Sequence, residues 1–219
     1  MTPELYGHPF ANFAWKPLIA LYERDVAFTF RMIDGDHPDN AARINELSPT
    51  GQFPALVDGA VTIAESNAII EYLDLYFGDA PTMVPAHPKA ALDARMMADI
   101  FDDYVAAPMQ QIVAGALRAP GEADPKGVAD AHRLLDRSYA WLDKRLAGND
   151  WAACERFTIA DCASAPALFY ADWVHPISEA YPTLNAYRAR LLARPSVARV
   201  VDEARPYRHF FPLGAPDRD

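Results

Sequence analysis

Cysteine is nearly absent from this chain of 219 residues: only Cys154 and Cys162 occur, and they form no Cys-x-x-Cys pair. That excludes a disulfide framework, and the lack of any cysteine in the first 150 residues speaks against thiol-exchange chemistry. Both thiols are expected to be reduced and largely buried. The six histidines are scattered without metal-ligand spacing, and Asp34-Gly35-Asp36 lacks the rest of a calcium loop, so no metal is expected. Positive charge is scarce: 20 Lys and Arg stand against 30 Asp and Glu, for a net charge of −10. Without a basic stripe such a surface repels phosphate backbones, which excludes nucleic acid as a partner. No apolar run approaches the ~20 residues of a membrane helix, so no membrane partner is expected. Met1 to Phe10 carries prolines and a glutamate but no basic region leading into an apolar stretch, so a cytoplasmic protein without signal peptide is expected. There is no internal repeat and no low-complexity tract.

What is present is an ordinary globular balance, 51% apolar and 23% charged, with enough length for two modest domains. Over the first eighty residues short strands alternate with helices. Leu5 and Tyr6 form an apolar start that Gly7-His8-Pro9 ends. A helical pattern follows through Leu18 to Glu23, with Pro17 expected early in it, where a missing amide costs little. Phe28, Phe30 and Met32 alternate with Thr29 and Arg31 as a strand does, and Ala41 to Leu47 reads as a short helix. Ala55-Leu56-Val57 and Val61-Thr62-Ile63 flank Asp58-Gly59, a strong hairpin signal. Ser66 is read as the N-cap of the next helix, ended by Gly78. The order βαβ, helix, ββα predicts a mixed four-stranded sheet, parallel in its first unit and antiparallel in its second.

From Asp79 to Pro88 the composition turns to prolines and small residues. The predicted organisation is therefore an α/β domain over 1–80, a linker over 81–88 and an all-helical domain over 89–219. In the latter, Leu92, Met96, Ile100 and Tyr104 recur at i+4 on a helix that Pro108 should kink. Val128 to Leu146 carries a second amphipathic helix, and Tyr187–Leu192 and Val197–Val201 two shorter ones.

Two local features carry chemistry. In Gly51-Gln52-Phe53-Pro54, proline at a strand entrance is a candidate cis bond, which would turn the Phe53 backbone outward to pair with an extended peptide. On the tetrapeptide alone a trans proline opening the strand is equally open. In Glu65-Ser66, at a helix start, free amides bind a carboxylate while Glu65 pairs with an ammonium, the two charges of an amino-acid head group. Helix capping by Ser66 alone explains the same pair.

Together and in order, Leu5-Tyr6-Gly7-His8-Pro9, Leu18-Ile19-Ala20-Leu21-Tyr22-Glu23, Gly51-Gln52-Phe53-Pro54-Ala55, Asp58-Gly59 and Glu65-Ser66-Asn67-Ala68-Ile69-Ile70-Glu71-Tyr72-Leu73 resemble the cytosolic glutathione S-transferases, with a phi- and theta-like bacterial flavour. The similarity resumes at Phe157-Thr158-Ile159-Ala160-Asp161, which is similar to the family's capping box. The resemblance implies a thioredoxin-like N-terminal domain, an all-α C-terminal domain and a homodimer. It implies that Phe53, before a cis Pro54, pairs with the cysteinyl part of glutathione, that Glu65 and Ser66 hold the γ-glutamyl end, and that Gln52 and His37 contact the glycyl carboxylate. The helical side would present an apolar wall to a hydrophobic electrophile, for which Phe10, Phe13, Tyr104, Ile112 and Tyr207 are the candidates. For any one of these, plain packing is the competing role.

One departure matters. Where serine-type members of that family carry a hydroxyl after the first strand, this chain has Ala11, which donates nothing. Asn12, one residue on, offers an amide donor to the sulfur, and Tyr6 matches in position the catalytic tyrosine of other classes. The expected activity is conjugation of the glutathione thiolate to an electrophile; a carrier that binds without catalysis, a peroxidase and an isomerase are the alternatives.

Overall fold

The structure is a computed structural model describing residues 2–78, 80–119 and 121–219; Met1 and Asp79, at the start of the leader reading and of the composition change, lie outside these. Strand β1 (Glu4–Gly7) leads through helix α1 (Asn12–Glu23) to β2 (Thr29–Met32), which pairs parallel with β1. Helix α2 (Pro38–Leu47) follows, then the antiparallel hairpin β3 (Ala55–Asp58) and β4 (Val61–Ala64), then α3 (Ser66–Tyr76). The sheet order is β2-β1-β3-β4, a thioredoxin-like arrangement. Asp58-Gly59 turns the hairpin as expected, with Gly59 at φ 59°.

Helix α1 begins five residues before Pro17, which therefore lies inside the helix rather than in its first turn. Its missing amide would leave the carbonyl of Phe13 without an intrahelical partner. Ser66 likewise differs from expectation: it is the first residue of α3, and Glu65 occupies the capping position without a side-chain cap.

The remaining helices are α4 (Pro88–Phe101), α5 (Ala107–Leu117), α6 (Pro125–Arg145), α7 (Ile159–Val174), α8 (Pro182–Leu192) and α9 (Pro195–Ala204), closed by a 3₁₀ turn over Arg205–Phe210. Pro108 lies in the first turn of α5. A π-helical turn over Asp102–Ala106 separates α4 from α5, with the Ala107 amide donating to the Asp102 carbonyl. Of the i+4 series, Leu92 and Met96 on α4 and Tyr104 on the π turn are 68%, 43% and 50% exposed and Ile100 packs half-buried on the core, while Ala94, Met97, Ala98 and Phe101 form the buried face of α4. Ala94 and Ala98 let α4 approach α7 closely, with Met97 and Phe101 fully buried beside them.

Helix α7 is buried along Ile159–Trp173 and forms the axis of the helical half. Its start carries the capping box: Thr158 accepts from the Ala160 amide, and Asp161 Oδ2 accepts from the Thr158 amide at 2.8 Å. Asp161 also receives the Ala152 amide at 2.9 Å and the Tyr187 hydroxyl at 2.6 Å. Burial still outweighs these donors and pushes its carboxyl up to about 6. Trp15 of α1 packs on Phe169 and Tyr170 of α7, with centroids 4.9 and 5.3 Å apart, and joins both halves in one core.

The proline-rich segment is pinned rather than loose. Buried Arg24 donates to the carbonyls of Ala80 and Pro81, and Asp74 accepts the amides of Met83 and Val84 at 2.8 Å each. Cys162 is buried as expected, whereas Cys154 is exposed: it lies at φ 52° in the loop before α7, outside the core. Among the described residues no helix is long and apolar enough to cross a membrane.

Candidate functional site

The register of the sheet gathers three loops at one end. Tyr6 stands opposite Ala55, and Ala55 opposite Ala64. The residues that follow β1, precede β3 and follow β4 therefore meet: Gly7–Ala11, Gly51–Pro54 and Glu65-Ser66.

The first loop is locked from both sides. Trp15 Nε1 donates to the Pro9 carbonyl at 2.6 Å, and Tyr170 Oη donates to the Phe10 carbonyl at 3.0 Å. The loop delivers Ala11 to the N-cap of α1 with no side-chain cap, so the first helical amides stay open. Asn12 follows at 8% exposure, and its Nδ2 is buried without a hydrogen-bond partner. A buried amide donor left unpaired costs about 1–3 kcal/mol, which a ligand acceptor at this point would recover.

In the second loop the Phe53–Pro54 bond is cis, and Gly51 takes φ 68°, where a side chain would also collide with Asn45. Gln52 is exposed beside it. At the third corner Glu65 is held at φ 88°, a strained conformation for a residue with a side chain and one that concentrates at functional sites. The strain turns the chain into α3, leaving its first amides open above buried Ser66.

Between the first two corners and the helical half runs a cleft of about 530 Å³, lined by Ala11, Asn12, Gly51, Gln52 and Phe53 on one side. Phe10 and Phe13 line it too. The helical side is supplied by Met109, Gln110, Val113, Ala114 and Leu117 of α5, by Tyr170, and by Phe210, Phe211 and Pro212 of the closing segment. Among the described residues no charged side chain lines it.

Other sequence candidates fall elsewhere. Tyr6 is buried beneath α2 with Ile44 and Leu47 and donates to Glu4 at 3.3 Å; burial and the Glu4 carboxylate push its hydroxyl up. His37 is exposed and bonded to Asp34 at 2.6 Å, outside the cleft lining. Tyr104 points to the outer face of the helical half, Ile112 to its core, and Tyr207 packs against His8 with centroids 4.7 Å apart in a separate hollow. The sequence did carry a signal for this lining: Met109, Val113 and Leu117 recur at i+4, one helical position out of phase with Ile112. The aromatic closing segment had no such periodicity. Among the described residues no group of three or more His, Cys, Asp or Glu is arranged to hold a metal.

Comparison with known proteins agrees with this geometry. Residues 5–81 match the family described as "Glutathione S-transferase, N-terminal domain", and residues 97–195 match "Glutathione S-transferase, C-terminal domain". A probable maleylacetoacetate isomerase of Vibrio cholerae is 26% identical over 94% of this chain and 98% of its own length. A glutathione S-transferase of Hyoscyamus muticus is 26% identical over 92% and 99%. The crystal structure of a glutathione transferase from Phanerochaete chrysosporium with oxidised glutathione superposes with a TM-score of 0.82 at 21% identity, covering 94% of this chain and 96% of that one. With both of its domains matched and the cleft between them in place, the chain belongs to the glutathione S-transferase family.

Proposed function

We propose that the chain is a glutathione transferase that conjugates the glutathione thiolate to a neutral hydrophobic electrophile. The observation that carries this reading is the Asn12 amide, buried and unpartnered at the cleft wall where α1 begins. Free glutathione keeps its thiol mostly protonated at neutral pH, so a catalyst must favour the thiolate. The open N-terminus of α1 contributes partial positive charge, and one good donor adds about 1–3 kcal/mol, or about one to two pKa units. Asn12 takes the part that the missing hydroxyl at Ala11 leaves vacant.

The rest of the tripeptide is assigned by chemistry. The Phe53 backbone, turned by the cis Pro54, pairs with the cysteinyl unit; the open α3 amides and Ser66 take the γ-glutamyl carboxylate, and Glu65 its ammonium. Gln52 reaches the glycyl end, with His37 the more remote candidate. The helical domain over 89–219 supplies the apolar wall to the 1–80 domain. With no cationic side chain in the lining, a neutral acceptor suits the cleft better than an anionic one. The exposed stripe of Leu92, Met96 and Tyr104, with Trp141 beside it, supports a homodimer, and the scarcity of cysteine suits a reducing cytoplasm.

The test is turnover of a generic aryl halide at saturating glutathione, alongside retention on immobilised glutathione. Both positive is the expected result. Retention without turnover would identify a carrier, and no retention would remove glutathione from the reading.

A further inference from the structure

Outside the cleft lining, two imidazoles of the helical half converge. His132 lies on α6, and His175 is the first residue beyond α7; their Nδ1 atoms are 2.9 Å apart. His175 Nε2 meets Asp136 Oδ1 at 2.7 Å, one turn along α6 from His132. The Tyr139 hydroxyl donates to the His175 carbonyl at 3.2 Å, fixing the backbone that carries the ring. Both rings remain partly open to solvent, and none of His132, Asp136 or His175 lines the cleft.

We propose that His132 and His175 bind one divalent first-row transition ion through their Nδ1 atoms, with Cu²⁺ preferred. The argument begins with protons. An ionised Asp136 accepts the Nε2 proton of His175, which leaves the His175 Nδ1 lone pair facing His132. A neutral His132 bridges the gap with an Nδ1–H donor; shifting that proton to Nε2 frees the second lone pair, and a turn of the rings from their nearly head-on approach, with centroids 5.0 Å apart, aims both at one ion. No proton need be lost from the protein, and each imidazole stays neutral.

Distance then selects the ion. Metal–imidazole bonds of about 2.0–2.1 Å set at a right angle hold their nitrogens about 2.9 Å apart, whereas a tetrahedral angle opens them to about 3.3 Å. The observed spacing fits adjacent positions of a tetragonal site, the preference of Cu²⁺ and Ni²⁺, and Cu²⁺ leads in affinity for such nitrogen donors. Asp136 acts from behind His175, as carboxylates commonly do for ligating imidazoles, fixing the tautomer and raising ligand basicity. Water completes the shell from the open side. The bound ion clips α6 to the end of α7, and the inference stands independently of the glutathione reading.

The experiment is titration of CuCl₂ into the full chain at pH 7.5, followed by electron paramagnetic resonance and thermal melting. The expected result is one ion per chain, a spectrum with superhyperfine splitting from two imidazole nitrogens, and a melting temperature that rises with the ion. His132→Gln or His175→Gln each weakens binding at least about 10-fold, Asp136→Asn weakens it about 10-fold, and His37→Gln leaves it unchanged. The two-nitrogen spectrum is read on the unaltered protein, so the test does not depend on a variant folding. A one-nitrogen spectrum, affinity only in the millimolar range, or binding unchanged in either histidine variant overturns the proposal.

Discussion

The Lys16 ammonium lies 2.5 Å from Asp102 Oδ2, tying α1 to the π-helical turn from which the cleft-lining helix α5 springs. Lys16 is fully buried, and Asn67, next to Ser66, donates to the same carboxylate oxygen at 3.2 Å. Burial pushes Lys16 below and Asp102 above their ordinary ranges, and each counters the other's shift. The pair thus joins the Glu65-Ser66 corner, the start of α1 and the turn that leads into α5. Lys16→Met strands a carboxylate and is expected to destabilise the fold by about 3–5 kcal/mol, whereas pairing it with Asp102→Leu restores most of that loss. Urea unfolding of the single and double variants measures both.

Asn12→Ala removes the proposed donor while leaving the α1 amides in place. The thiol pKa of bound glutathione is expected to rise by about 1–2 units. Following the thiolate by ultraviolet absorbance across a pH series checks this, and an unmoved titration would take Asn12 out of the mechanism.

Val113 sits mid-wall on α5, between Met109 and Leu117. Val113→Trp fills part of the cleft and should raise KM for a bulky electrophile about 10-fold, with KM for glutathione within about twofold. Steady-state kinetics with each substrate varied in turn separates the two.

Asp161→Ala leaves the Thr158 and Ala152 amides and the Tyr187 hydroxyl without their acceptor, at a cost of about 3 kcal/mol or more. Its pH dependence has a definite sign. The carboxyl titrates at about 6 when folded, above its unfolded value, so folding retains its proton. The stability Asp161 contributes is full below pH 4 and falls by up to about 3 kcal/mol as pH rises through 6. Denaturation midpoints of the two proteins between pH 4 and 7 should converge accordingly.

Met96→Glu places a charge on the exposed α4 stripe, where the folded monomer gives no reason for an apolar side chain. Light scattering is expected to read a dimer for the natural chain and a monomer for the variant, with the far-ultraviolet spectrum unchanged.

The order of strands and helices, the hairpin at Asp58-Gly59 and the capping box at Thr158–Asp161 were determined by sequence alone. Each rests on interactions between residues a few positions apart, so local spacing is enough to specify it. Which face of α4 is buried, that Tyr6 lies beneath α2 and that Tyr207 faces His8 were decided by tertiary packing. So was the meeting of α5 with the closing segment at Phe210, Phe211 and Pro212. An apolar stripe announces that a helix has a preferred face, but not whether that face meets the core, a cleft or another chain; on α4 the alanines packed against α7 decided it. The lone donor at Asn12 belongs to both levels: the sequence supplied the amide in place of a hydroxyl, and the fold buried it unpaired.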